Sequence, residues 1–129
     1  MKIGNIKFKA KRLDNGEWII GSFVVMKIPA LSKTTIGIVA AGGATLHEID
    51  PSTVCQFTGL KDCKGKEIFE HDLIHFVGHK PTAEVIWSED DYAFMVASVN
   101  EPLYWLSDVL EIGKIERVGN KFDRKEGEK

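Results

Sequence analysis

Three histidines at a spacing of four, His71, His75 and His79, come nearest in this chain to a metal-binding or reactive pattern. Positions four apart share one side of a strand and lie close together on a helix. Cys55 and Cys63 stand upstream and add two thiols. A structural zinc ion takes four N or S ligands, typically from Cys-x2–4-Cys and His-x3–5-His pairs. The histidine spacing fits that rule. The Cys-x7-Cys spacing does not, and Gly78 turns the chain before His79. The expectation is therefore surface or edge histidines, reduced thiols, no metal and no cofactor.

Nucleophilic catalysis needs a Cys or Ser held against a histidine and an orienting group. Those residue types occur, but in no telling arrangement. Asp90-Asp91 reads as a solvated turn. Glu70 and Asp72 flank another turn, where carboxylates accept from backbone N–H groups. Gly42-Gly43 lacks the Lys-Ser/Thr that completes a phosphate loop. No enzyme class emerges, so the chain is expected to be non-enzymatic. An unrecognised enzyme or metal protein is the second alternative.

Lys7, Lys9 and Lys11 alternate with Ile6, Phe8 and Ala10. That period puts the lysines toward water and the apolar residues toward a core. Such a row suits phosphate contact, which makes weak nucleic-acid binding the first alternative function. Its plainer role is to keep an edge strand from pairing with others. Phe8 falls on the apolar face, so the stacking surface of a single-strand binder is incomplete. Trp18, Trp87 and Trp105 each sit in an apolar-periodic stretch and read as core or interface packing.

These residues must be positioned by a small scaffold. The chain has 129 residues, the size of one domain that can bury its own core. Apolar residues make up 43%, charged residues 28%, and the net charge is −2, which gives no global basic field for a duplex-DNA binder. No run reaches the roughly 18 apolar residues that span a bilayer, and Met1-Lys2-Ile3-Gly4-Asn5 carries no signal-peptide run. A cytoplasmic protein with free thiols is the expectation.

Residues 6–12 and Trp18–Lys27 flank Asn15-Gly16, the strongest short hairpin signal. Gly21 suggests a bulge or bend in the second of these strands. Ile36–Ala40 and Ala44–Ile49 form a second pair around Gly42-Gly43. Asp50 and Pro51 read as the cap and first residue of a helical turn. Strands then follow at Gln56–Thr58, Ile68–Phe69, Leu73–Val77, Ala83–Trp87, Tyr92–Val99 and Ile115–Phe122. Residues 103–112 have helical spacing, with Asn100 as candidate cap and Gly113 as candidate C-cap. The fold class is mainly β: a small barrel-like antiparallel fold with one short helix near 103–112. The domain is 1–122, with 1–49 and 50–122 as an alternative division into lobes, and 123–129 is a polar tail expected to fray.

Residues 50–74 read DPSTVCQFTGLKDCKGKEIFEHDLI. This segment resembles the signature of the YopX family of phage and prophage proteins, of the form DP-x-TV-GQ-[FY]-TGLKDKNGKEI-[FY]-EGDI. IKFKAKRLDNGEWIIG near the start and Arg117–Phe122 near the end are also similar to the family. The resemblance implies a β-rich fold, a phage or prophage origin in a bacterial host, and no defined activity. The matched residues are Asp50, Pro51, Phe57, Gly59, Leu60, Asp62, Gly65, Ile68, Phe69, Glu70 and Asp72. They are turn and core types, so the signature reads as architectural. Departures are Cys55 for Gly, Cys63-Lys64 for Lys-Asn, and His71 for the Gly of Glu-Gly-Asp. A left-handed backbone at position 71 is the implication of that Gly. The expected partner is an unknown phage or host protein, or a second copy of the chain, with no membrane.

Overall fold

The computed structural model describes residues 2–77, 82–98 and 103–123. It is mainly β, and the chain divides into two compact units, Met1–Phe57 and Thr58–Lys129.

In the first unit, β1 (Phe8–Lys11) pairs antiparallel with β2 (Trp18–Ile28), Phe8 opposite Gly21 and Lys11 opposite Trp18. The expected hairpin is present, but its turn is not the tight two-residue kind. Arg12 N donates to Glu17 O and Gly16 N to Arg12 O, so four residues form the loop. Only Gly16 takes positive φ there, at 71°. Asn15 instead accepts from Glu17 N through its side chain, at 2.9 Å. β2 goes on to pair with β3 (Lys33–Ala40), which pairs with β4 (Leu46–Glu48). β5 (Cys55–Lys61) begins on the other side of β1, where Lys9 faces Cys55. Asp50 caps a single turn over Pro51–Thr53 and accepts from Ser52 N. Thr53 ties this turn to β1 by accepting from Lys11 N at 2.9 Å. The unit's core is Ala10, Ile38 and Ile49, with Phe8, Ile19, Phe23, Ile36 and Val54 around them.

Two expectations fail here. Ile6 is exposed, whereas Lys9, expected in water, is only 5% exposed. Gly21 carries no bulge: it is the last residue of β2 paired with β1 and the first paired with β3, and neither register shifts there. Its role is close approach: a Cβ there would lie 2.1 Å from the Val39 carbonyl oxygen.

In the second unit, the end of β5 borders β6 (Glu67–Phe69). A separate antiparallel sheet has the order β10-β9-β8-β7-β11. Its strands are β7 (Asp72–Phe76), β8 (Ala83–Ser88), β9 (Ala93–Ala97), β10 (Tyr104–Trp105) and β11 (Ile115–Asn120). The sheet ends at β10 and β11 without pairing them, and β4 is likewise an edge, so the barrel-like expectation is corrected to open sheets. Helix α1 spans Leu106–Ile112, shorter than 103–112 because 104–105 pair with β9. Its N-cap is Trp105, without a side-chain bond. Asn100 lies outside the described residues. Gly113 is extended (φ −163°), not a left-handed cap. α1 turns Leu106 and Val109 onto Ile68, Ile74, Val85, Val96 and Ile115, and these form the core. The register of β11 with β7 shifts between Arg117 and Gly119. No helix among the described residues is long and apolar enough to cross a membrane.

Gly21→Ala is expected to cost about 1–3 kcal/mol by overpacking. Gly4→Ala, whose Cβ would meet nothing within 4 Å, should be neutral. Urea denaturation midpoints of the two variants compare them directly; equal midpoints would contradict the close-approach role.

Candidate functional site

Two features of the second unit have the make-up of a site. One is a polar network formed by the signature segment, and the other is an apolar groove beside α1.

The network rests on two acids. Asp62 is 6% exposed. It accepts from the backbone N–H of Lys64 (2.9 Å), Lys66 (2.8 Å) and Arg117 (2.8 Å). Burial alone would raise its pKa, but these donors together outweigh burial and the pKa is lowered. Asp72 is fully buried. It accepts from Phe69 N at 2.7 Å and from Asn120 Nδ2 at 2.8 Å. Arg117 Nε lies 3.0 Å from Asp72 Oδ2, though its N–H is not aligned for a hydrogen bond. Asp62 and Asp72 therefore satisfy backbone and side-chain donors of their own unit. Gly59, within β5, and Gly65, in the turn that follows it, take positive φ, at 84° and 82°. Ile68 and Phe69 are core residues, Leu60 packs against that core, and Glu70 lies 3.7 Å from His71 Nε2. In the first unit, Asp50 and Pro51 make the capped turn and Phe57 is buried.

The histidines do not converge. His71 Nδ1 is 2.7 Å from Glu84 on β8, and His75 Nε2 is 2.7 Å from Glu116 on β11. They thus reach opposite neighbours of β7. His79 lies outside the described residues. Cys55 is buried and bonds to Thr53 O, while Cys63 is exposed. Among the described residues no group of His, Cys, Asp and Glu is arranged to hold a metal ion. His71 has φ 69°, the left-handed backbone implied by the resemblance. Its ring meets Phe122 edge-on at 5.3 Å. Glu116 is held at a pKa of about 2, first by its hydrogen bond from Lys64 (2.7 Å) and then by His75.

Lys7, Lys9 and Lys11 do share a face, and aromatic rings lie beneath them. Lys9 Nζ is 4.6 Å and Lys11 Nζ 5.5 Å from the Trp18 centroid, and Lys7 Nζ is 4.7 Å from that of Phe57. The row is a cation–π ladder, which explains how Lys9 is buried.

The apolar groove went unread in the sequence. It is a cavity of about 500 Å³ lined by Ile74, His75 and Phe76 of β7, Val96 of β9 and Tyr104 of β10, and by Val109 and Ile112 of α1. Phe76, Tyr104 and Ile112 are exposed at its mouth. Gly113 makes room for the Phe76 ring, because a Cβ there would sit 3.1 Å from it. The signal lay in the apolar residues Ile74 and Phe76 of β7, which flank His75 at the cavity wall. The partners Arg117, Asn120 and Glu116 were also missed, being polar residues in a strand read only for its apolar period.

A family model described as YopX protein matches residues 7–126. The chain belongs to the YopX family. The match takes in the whole signature segment, with Asp62, Asp72 and the left-handed residue 71 inside it. No curated protein matches the chain.

His71→Gly removes both the bond to Glu84 and the left-handed penalty of roughly 1 kcal/mol. His71→Ala removes the bond and keeps the penalty. The Ala variant is therefore expected to be less stable than the Gly variant by about 1 kcal/mol in chemical denaturation, and the reverse order would contradict the assignment. Glu116 has a folded pKa near 2, below its ordinary 4.5. Its contribution is present above the ordinary value and is lost as pH falls from about 4.5 to about 2. Glu116→Gln should flatten the acid limb of the stability profile in that window. An unchanged limb would show that the Lys64–Glu116–His75 contacts do not form.

Proposed function

We propose that this YopX-family chain is a non-enzymatic interaction module of phage or prophage origin, working in the bacterial cytoplasm by binding a protein. The observation that carries the reading is the open groove beside α1, with Phe76, Tyr104 and Ile112 at its mouth. Apolar groups exposed together on one concave surface are the usual mark of a binding site. The titratable groups of the signature support the same reading from the other side, since Asp62 and Asp72 are buried in internal bonds. Acid–base catalysis needs such groups presented to a substrate.

The test is a pull-down from phage-infected cells with the wild type and Ile112→Lys. Ile112 is 73% exposed, so the fold tolerates the change. Desolvating an Ile side chain is worth about 1.5–3 kcal/mol, or roughly ten- to a hundred-fold in affinity. Loss of a retained protein on that scale, at unchanged melting temperature, is the expected result. Equal retention by both proteins would contradict the groove as the binding surface. Salt-sensitive retention on heparin, lost on replacing Lys7 and Lys11, would favour nucleic-acid contact instead.

A further inference from the structure

The most exposed large aliphatic side chain among the described residues is Ile3, at 86%, and the next is Ile112, at 73%. Ile3 belongs to a single 3-10 turn, Ile3–Asn5, that buries none of its residues. Bonds within the segment close the turn: Asn5 N donates to Lys2 O and Ile6 N to Ile3 O, each at 2.9 Å. Side chains three apart eclipse in this geometry, so Ile3 stands beside Ile6, which is itself 57% exposed. Neither isoleucine belongs to a core cluster.

The two exposed sites differ in charge. Lys2, Lys7, Lys9, Lys11 and Arg12 precede the first acid, Asp14. Residues 1–57 hold seven Lys and Arg against four Asp and Glu, and residues 58–129 hold ten against fifteen. The two units are therefore opposite in net charge. At the groove, α1 carries Asp108 and Glu111, both exposed, and no cation. Asp108 stands one turn before Ile112 on the same side of the helix. Of the other charged groups nearby, His75 is bonded to Glu116, and Lys114 lies beyond Gly113, past the end of α1.

We infer that the groove beside α1 receives residues 2–6 of a second copy, with Ile3 and Ile6 against Phe76, Tyr104 and Ile112 and Lys2 toward the acids of α1. The inference rests on the reading of the groove as a protein-binding surface and names its occupant. The segment matches the groove in two independent respects. Its anchors are apolar and unused by its own fold, and its charge is opposite to that of α1. An acidic segment would be repelled there. Short segments laid in apolar grooves, with anchors three or four residues apart, are a recurring mode of recognition. Segment and groove are different surfaces, so the contact is heterologous and copies add head to tail. A contact of this size is weak, and the assembly grows with concentration.

Sedimentation velocity of the full chain, from low micromolar to near millimolar concentration, tests this. The wild type is expected to associate beyond a dimer as concentration rises. Ile3→Lys and Ile112→Lys should each weaken association at least about ten-fold, through loss of one buried isoleucine. Asp108→Lys combined with Glu111→Lys should weaken it too, because the rim then repels Lys2. An equimolar mixture of Ile3→Lys and Ile112→Lys chains should recover dimers and stop there. The intact groove of the first takes the intact segment of the second, and the remaining segment and groove are both blocked. That recovery also excludes misfolding. A wild type that stays monomeric overturns the inference, and the pull-down with Ile112→Lys then decides the groove reading by itself. A mixture that stays monomeric, or an assembly that Ile3→Lys leaves intact, overturns it as well. Association unchanged by the paired α1 substitutions would overturn the charge match and with it the choice of occupant.

Discussion

A carboxylate with no solvent access, as at Asp72, must be repaid by donors inside the protein. Bringing an ion into the interior costs several kcal/mol unless charge and hydrogen bonds replace water. Phe69 N, Asn120 Nδ2 and the Arg117 guanidinium do so. Asp62 makes the same demand a short way upstream and also draws on Arg117, through its backbone. Both acids therefore depend on β11, some fifty residues later in the chain. The turns of the signature, the pairing of β7 with β11 and the position of residue 71 all follow once these donors are in place. Lys121 N donating to His71 O and Cys63 N donating to Ile115 O fasten the two stretches at further points.

This dependence explains what the sequence could and could not disclose. Local chemistry was legible. Asp50-Pro51 makes the capped turn, the strands lie near their expected places, and a family Gly at the His71 position implied the left-handed backbone that residue adopts. Long-range satisfaction was not. Arg117 and Asn120 are ordinary polar residues in a strand until the acids they serve are known. Lys9 follows a water-facing period yet is buried, because period assigns a residue to a face and says nothing of what covers that face. Here Trp18 lies under it. Gly113 was read as a helix stop and Gly21 as a bulge or bend. Both instead make room, one for a Phe76 ring and the other for a backbone carbonyl. Closure into a barrel is a property of which edges meet, and alternation within strands does not encode it.

The division between the inside of the signature and the surface of the molecule bears on function. Titratable groups that sequence reading flags first, the histidines and the acids of residues 62–72, are largely engaged with one another and with backbone. Among the described residues, exposed apolar side chains lie at the mouth of the groove beside α1 and toward the end of β2.

The central claim is that the signature acids hold the second unit together. Native-state hydrogen exchange read at the amides of Lys66, Phe69 and Arg117 tests it most directly, because these N–H groups donate to Asp62 and Asp72. The account expects all three to exchange only through opening of the whole unit, with the same protection as the core amide of Ile74. Fast exchange at these amides while Ile74 stays protected would show that the acids are free to serve something else, and would contradict it.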